Sequence, residues 1–197
     1  MIGNVVGILF SPDERWVSIR DQSKKRNTGL LHALVLAAIP ALAGYYGAAH
    51  IGWRIGDGPT RYLTQDSALE IFIPAYVAQV LAILFLGRAI HWMARTYGSA
   101  PEKSQAMAIA AYSATPLFLS GIVALYPALW LFMLAGLVAV IHSVYLLYKG
   151  VPIVMNISAD QGFVFSSAIL TVGLVMMVGL MVVTVLAWSF GLAPVFT

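Results

Sequence analysis

Five apolar stretches, at about residues 30–52, 68–92, 105–125, 127–148 and 163–190, take up most of a 197-residue chain. A helix needs about 20 apolar residues, at about 1.5 Å of rise each, to cross the hydrocarbon core of a bilayer. Every stretch reaches that length. Unpaired backbone N–H and C=O groups are so costly in lipid that each isolated span must be helical. The expected fold is therefore all-α: a polytopic membrane helix bundle with five transmembrane helices. Composition removes the soluble alternative. Hydrophobic residues make up 60% of the chain and charged residues 10%, too few polar groups to cover a surface that faces water. The loops are short, so no sizeable soluble domain fits between the spans. Residues 1–29 form a cytoplasmic N-terminal segment, and 30–197 form the five-helix domain.

Helix starts support these placements. Ser11-Pro12-Asp13-Glu14, Ser67-Ala68-Leu69-Glu70, Ser99-Ala100-Pro101-Glu102 and Ser158-Ala159-Asp160-Gln161 all fit the capping-box pattern. In it a serine oxygen accepts from one orphan N–H and a later Glu or Gln from another. Pro127 suits the first turn of the fourth helix, where its missing N–H costs nothing. The opening decapeptide MIGNVVGILF lacks a basic leader and runs into SPDER, so it reads as part of the mature protein.

Charge distribution sets the orientation. Arg15, Arg20, Lys24, Lys25, Arg26, Arg88, Arg95, Lys103 and Lys149 fall on one side of the five-span topology, and Arg54 and Arg61 on the other. By the positive-inside rule the N-terminus is cytoplasmic and the C-terminus external. The chain has no cysteine, which excludes disulfides, thiolate nucleophiles and Cys-ligated metals.

Several groups of residues could carry function. In the first span Ala33, Ala37, Ala41, Gly44, Ala48 and Gly52 keep to one helix face, for internal packing or for a homodimer. Within 11–26, Trp16 and Ile19 beside basic residues suggest an amphipathic helix on the cytoplasmic leaflet, with the indole at headgroup depth near anionic lipid. The other reading is that these charges only fix topology. Arg88, His91 and Arg95 form a basic stripe at the cytoplasmic end of the second helix, for headgroup anchoring or a specific site. Pro116 frees the carbonyl of Tyr112, which must find a hydroxyl, a neighbour or water; Ser113 and Thr115 stand nearest. A kink with a local polar pocket is expected. His142, returning on the fourth helix, falls at the same depth as Tyr112 and Ser113. His142, Tyr145 and Lys149 share a face. The imidazole has two readings, a neutral ring hydrogen-bonded across helices to Ser113 or Tyr112, or a site for a ligand or proton. His32, His50, His91 and His142 lie on separate segments with no ligand spacing, so no metal and no cofactor are expected.

Three stretches together, "FSPDERW" (10–16), "YSATP" (112–116) and "YLLYKGVP" (145–152), resemble the Yip (Ypt-interacting protein) domain family. The resemblance runs over nearly the whole chain. It implies a cytosolic N-terminus, five transmembrane helices and an external C-terminus. Eukaryotic members act in vesicle trafficking through Rab-type GTPases and membrane-shaping partners. This chain carries no match to their D-L-Y-G-P motif, and its short loops suggest a bacterial inner membrane.

The expected function is that of a non-enzymatic membrane protein binding lipid or partner proteins, with anionic headgroups at the cytoplasmic face and a homo-oligomer among the possibilities. No nucleic-acid partner is expected. The alternative is a channel or transporter for a small solute or ion through a polar site between helices three and four. An intramembrane enzyme ranks last, because no carboxylate pair or ligand set falls inside the bilayer.

Overall fold

A computed structural model of the chain describes residues 2–24, 27–54, 58–126 and 128–197. Lys25, Arg26 and Pro127, all used in the sequence reading, lie outside the described residues. Two short helices come first, α1 (Ile2–Phe10) and α2 (Pro12–Ser23). The first span is α3 (Thr28–Tyr46), prolonged by a π-helical turn at Gly47–Ile51. Then come α4 (Gln65–Met93), closed by a 3₁₀ turn at Ala94–Tyr97, α5 (Lys103–Ser113), α6 (Thr115–Ser120) with a 3₁₀ turn at Gly121–Leu125, α7 (Leu129–Met155) and α8 (Ala159–Ala187). Among the described residues five helices are long and apolar enough to cross a membrane: Thr28–Ile51, Gln65–Tyr97, Lys103–Leu125, Leu129–Met155 and Ala159–Gly191. They coincide with the five apolar stretches. The fourth runs one to two turns further than hydropathy suggests, because Lys149 interrupts the apolar pattern without interrupting the backbone.

The core is built around α5, whose residues Gln105 to Ser113 are all buried. Its sequence KSQAMAIAAYS explains this. Four alanines, at 106, 108, 110 and 111, let neighbouring backbones approach, and α5 touches α2, α3, α4 and α7. Gly29 makes one such approach possible, since a Cβ there would lie 2.8 Å from the backbone of Met107 and Ala108. The small-residue stripe of α3 also faces inward. Ala33, Ala37, Ala41 and Gly44 are buried, and a side chain at Gly44 would strike Phe72. Internal packing is what this stripe does in the single chain.

The helix starts follow the expected chemistry at shifted positions. Ser158 and Gln161 form the capping box that begins α8. Ser11 stands at the N-cap of α2 without a side-chain bond. At α4 the cap is Thr64, whose hydroxyl accepts from the Ser67 N–H at 3.3 Å. At α5 it is Glu102, paired reciprocally with Gln105. Ser67 and Ser99 are therefore not the caps that the pattern suggests. Ser67 instead accepts from the Val195 N–H at 3.0 Å, and Ser99 donates to the Met155 carbonyl at 2.8 Å.

The connections sort to two ends. At one, Trp53 bridges Arg61, Arg54 bridges Ala128, and Leu63 bridges Phe196, so the α3–α4 loop, the start of α7 and the C-terminal tail meet. At the other lie the α4–α5 and α7–α8 connections and α2. The α2 helix departs from expectation. Trp16 and Ile19 are fully buried against the bundle, so the indole does not face headgroups. Beyond Ile169, α8 carries its apolar side chains outward, among them Leu174, Val175, Met181 and Val183. That is the surface a lipid-facing helix presents.

Candidate functional site

The three sequence stretches singled out above come together at one junction. From α2, Trp16 lies over Gly150 of α7, where any Cβ would collide with the indole. The same indole meets Tyr112 of α5 edge-on, with ring centroids 6.5 Å apart. Asp13 of α2 pairs with Lys149 of α7 at 3.1 Å. Local sequence puts these groups there. Pro12 and Asp13 open α2, and a proline with an acidic first turn suits a helix start. Trp16, Ile19 and Ser23 then follow at spacings of three and four on one face. Gly150 supplies the notch.

Tyr112 also packs against His32 of α3, with ring centroids 3.9 Å apart. His32 Nε2 is hydrogen-bonded to the Thr115 hydroxyl at 2.8 Å, and both residues are wholly buried. The break after α5 makes this possible. Ala114 adopts φ −80°, ψ −3°, and its N–H reaches the Tyr112 carbonyl. Pro116 then enters the first turn of α6. The kink is present, but its chemistry differs from that expected. The Tyr112 carbonyl accepts from Ala114, and the Thr115 hydroxyl turns to His32. The buried Ser113 hydroxyl has no hydrogen-bond partner among the described residues.

The groove that His142 lines does not include Tyr112 or Ser113. The packed face of α7 carries Ala139, Ser143, Leu146, Leu147 and Gly150, and His142 falls at its edge. With Pro116, Leu119 and Ser120 it lines an apolar groove of about 570 Å³ that Leu9 and Phe10 of α1 also border. Its Nε2 is buried without a partner among the described residues, so the expected bond to Ser113 is absent. Tyr145 sits beside it, ring centroids 5.8 Å apart, and points half-exposed to the outside. Arg88 and His91 stay apart on α4. Arg88 is exposed and donates to the Leu84 carbonyl of its own helix at 3.3 Å.

Sequence reasoning missed His32, the imidazole that actually ties two spans together. Placing the first span at residue 30 left His32 at its edge, and its helical spacing to the buried stripe at Ala33 and Ala37 was the available signal. Trp16 stands out in the sequence, but neither a headgroup-facing indole nor charges that only fix topology describes its burial. Its spacing to Ile19 and Ser23 suits a packed face as well as a lipid-facing one.

This arrangement defines an integral membrane protein of several spans with its N-terminal helix packed against the bundle. The Yip1 domain matches residues 6–193, and the chain belongs to that family. It is 38% identical over 191 residues to the inner membrane protein YohC of Escherichia coli K12, covering 96% of this chain and 98% of that protein. The YohC of Escherichia coli O6:H1 matches equally. No solved structure matches significantly.

Proposed function

We propose that this is a non-enzymatic protein of a bacterial inner membrane that binds lipid or partner proteins. Its N-terminus is cytoplasmic and its C-terminus external, and residues 1–29 form the cytoplasmic segment ahead of the five-helix unit of 30–197. The observation that carries this reading is the use made of the intramembrane polar groups. His32 Nε2 and the Thr115 hydroxyl bond each other across two spans, and the contacts of Trp16 with Tyr112 and Gly150 fasten α2 to the spans. Such contacts hold a shape. Similarity to a protein named as an inner membrane protein supports the location, and the clustering of Arg20, Lys24, Lys103 and Lys149 at one end supports the orientation. Crosslinking in cells, followed by sizing of the purified protein in nanodiscs, tests the reading. A captured partner or a homo-oligomer is expected. A strictly monomeric protein that captures neither protein nor lipid contradicts it.

One observation favours the alternative of a channel or transporter. The unpartnered His142 Nε2 borders the groove beside Pro116, and intramembrane ionisable groups often mark solute paths. Ion flux into liposomes that is abolished by His142→Ala would establish it. Absence of flux for a panel of ions and small solutes would remove it.

A further inference from the structure

A second concavity lies away from the junction, where α2, the α4–α5 connection and the end of α7 meet. It measures about 460 Å³ and is lined by Arg20, Lys24, Ser99, Gln105 and Asn156 with the adjoining backbone. We propose that this cavity binds a phosphate group, that of an anionic lipid headgroup or of a free phosphate. The proposal rests on the lipid-binding reading above and gives it a place.

The cavity forms because two chain segments reverse sharply there. Gly98 ends the 3₁₀ turn at φ 77° and Asn156 ends α7 at φ 53°, both in the left-handed region. The Ser99 hydroxyl ties the two ends together by donating to the Met155 carbonyl at 2.8 Å. No carboxylate is among the lining residues, whereas two cations are. Asp21 takes Arg20 Nε at 3.2 Å and stands 4.0 Å from Lys24 Nζ. One Arg20 Nη reaches the Ile153 carbonyl at 3.5 Å. Guanidinium has five N–H donors and ammonium three, so donors remain on both for an incoming anion.

Gln105 adds an independent pointer. Only 6% exposed, it lines the cavity, and its Oε1 accepts from the Glu102 N–H at 2.9 Å. That bond fixes which way the amide faces. Its NH₂ group makes no hydrogen bond among the described residues, so it is left for a water or a ligand in the cavity. Capping the carbonyl end of α7 explains one bond of Arg20. It explains neither Lys24 nor the Gln105 amide. The lining segments are the ends of the second, third and fourth spans, which is where headgroup phosphates lie.

The test is native mass spectrometry of the full chain in neutral detergent, titrated with phosphatidic acid, phosphatidylglycerol and phosphatidylcholine. One anionic lipid should be retained per chain in preference to phosphatidylcholine. The double variant Arg20→Gln/Lys24→Gln should weaken that binding by about tenfold or more, the scale of hydrogen bonds to charged groups. Gln105→Glu keeps the bond to the Glu102 N–H and removes the amide donor, so it should weaken binding as well. Lys149→Gln, a cation at the same end but outside the cavity and paired with Asp13, should leave it unchanged. Displacement by millimolar inorganic phosphate would identify the free anion as sufficient; its failure would identify the lipid. Equal retention of phosphatidylcholine, or equal loss in Lys149→Gln, overturns the site. Such a failure is distinguishable from failure of the wider reading, because partner capture and oligomeric state are read without these variants.

Discussion

A buried imidazole and a buried hydroxyl in a lipid-facing bundle have few partners to choose from, and His32 and Thr115 choose each other at 2.8 Å. Removing one leaves the other unmet, at about 1–3 kcal/mol. His32→Leu and Thr115→Val should each lower the unfolding midpoint in detergent. The double variant should lose less than the sum, with a coupling of about 0.6–1.7 kcal/mol as found for hydrogen bonds between membrane helices. Strict additivity would show that the pair contributes nothing. The Asp13–Lys149 pair differs, because both side chains are substantially exposed. Replacing Lys149 by Met should therefore change stability by less than about 1 kcal/mol, measured in the same unfolding experiment. A larger loss would mean that water does not screen the pair.

The packing of α2 is settled by shape at the scale of the helix. At Gly150 the indole of Trp16 lies against bare backbone of α7. Trp16→Ala empties a fully buried site, and loss of a core Trp costs about 3–5 kcal/mol. Gly150→Leu should act alike by excluding the indole. The absence of cysteine allows a direct measurement: a lone cysteine at Ile19, buried in the native chain, should resist maleimide and become reactive when either substitution is added. Equal reactivity with and without them would show that α2 is held by something else. These contacts also mark the limit of what could be read from sequence. The five spans were legible, because hydropathy and length are local properties. The Ala114 break was legible through Pro116. Which face of α2 meets protein was not, since a Trp and an Ile one turn apart look the same over lipid and over a glycine notch. The partner of Thr115 was not legible either, because His32 lies 83 residues away and only the packing of α3 on α5 and α6 brings it near.

For the whole molecule, the two ends of the bundle differ in charge, and the proposed orientation rests on that difference. Arg54 and Arg61 lie with the α3–α4 loop and the C-terminal tail, which are joined by the bridges at Trp53–Arg61 and Leu63–Phe196. Most of the described basic residues lie at or toward the other end. Loops rich in Lys and Arg stay in the cytoplasm because they resist translocation. Single cysteines at the exposed positions Gln22, Thr60, Lys103 and Thr197 separate the possibilities in intact cells. A membrane-impermeant maleimide should label positions 60 and 197 and spare 22 and 103, with all four labelled after permeabilisation. The reverse pattern would invert the molecule and move the phosphate cavity to the outer face. Labelling of 22 together with 197 in intact cells would contradict an odd number of spans, since five crossings put the two termini on opposite sides.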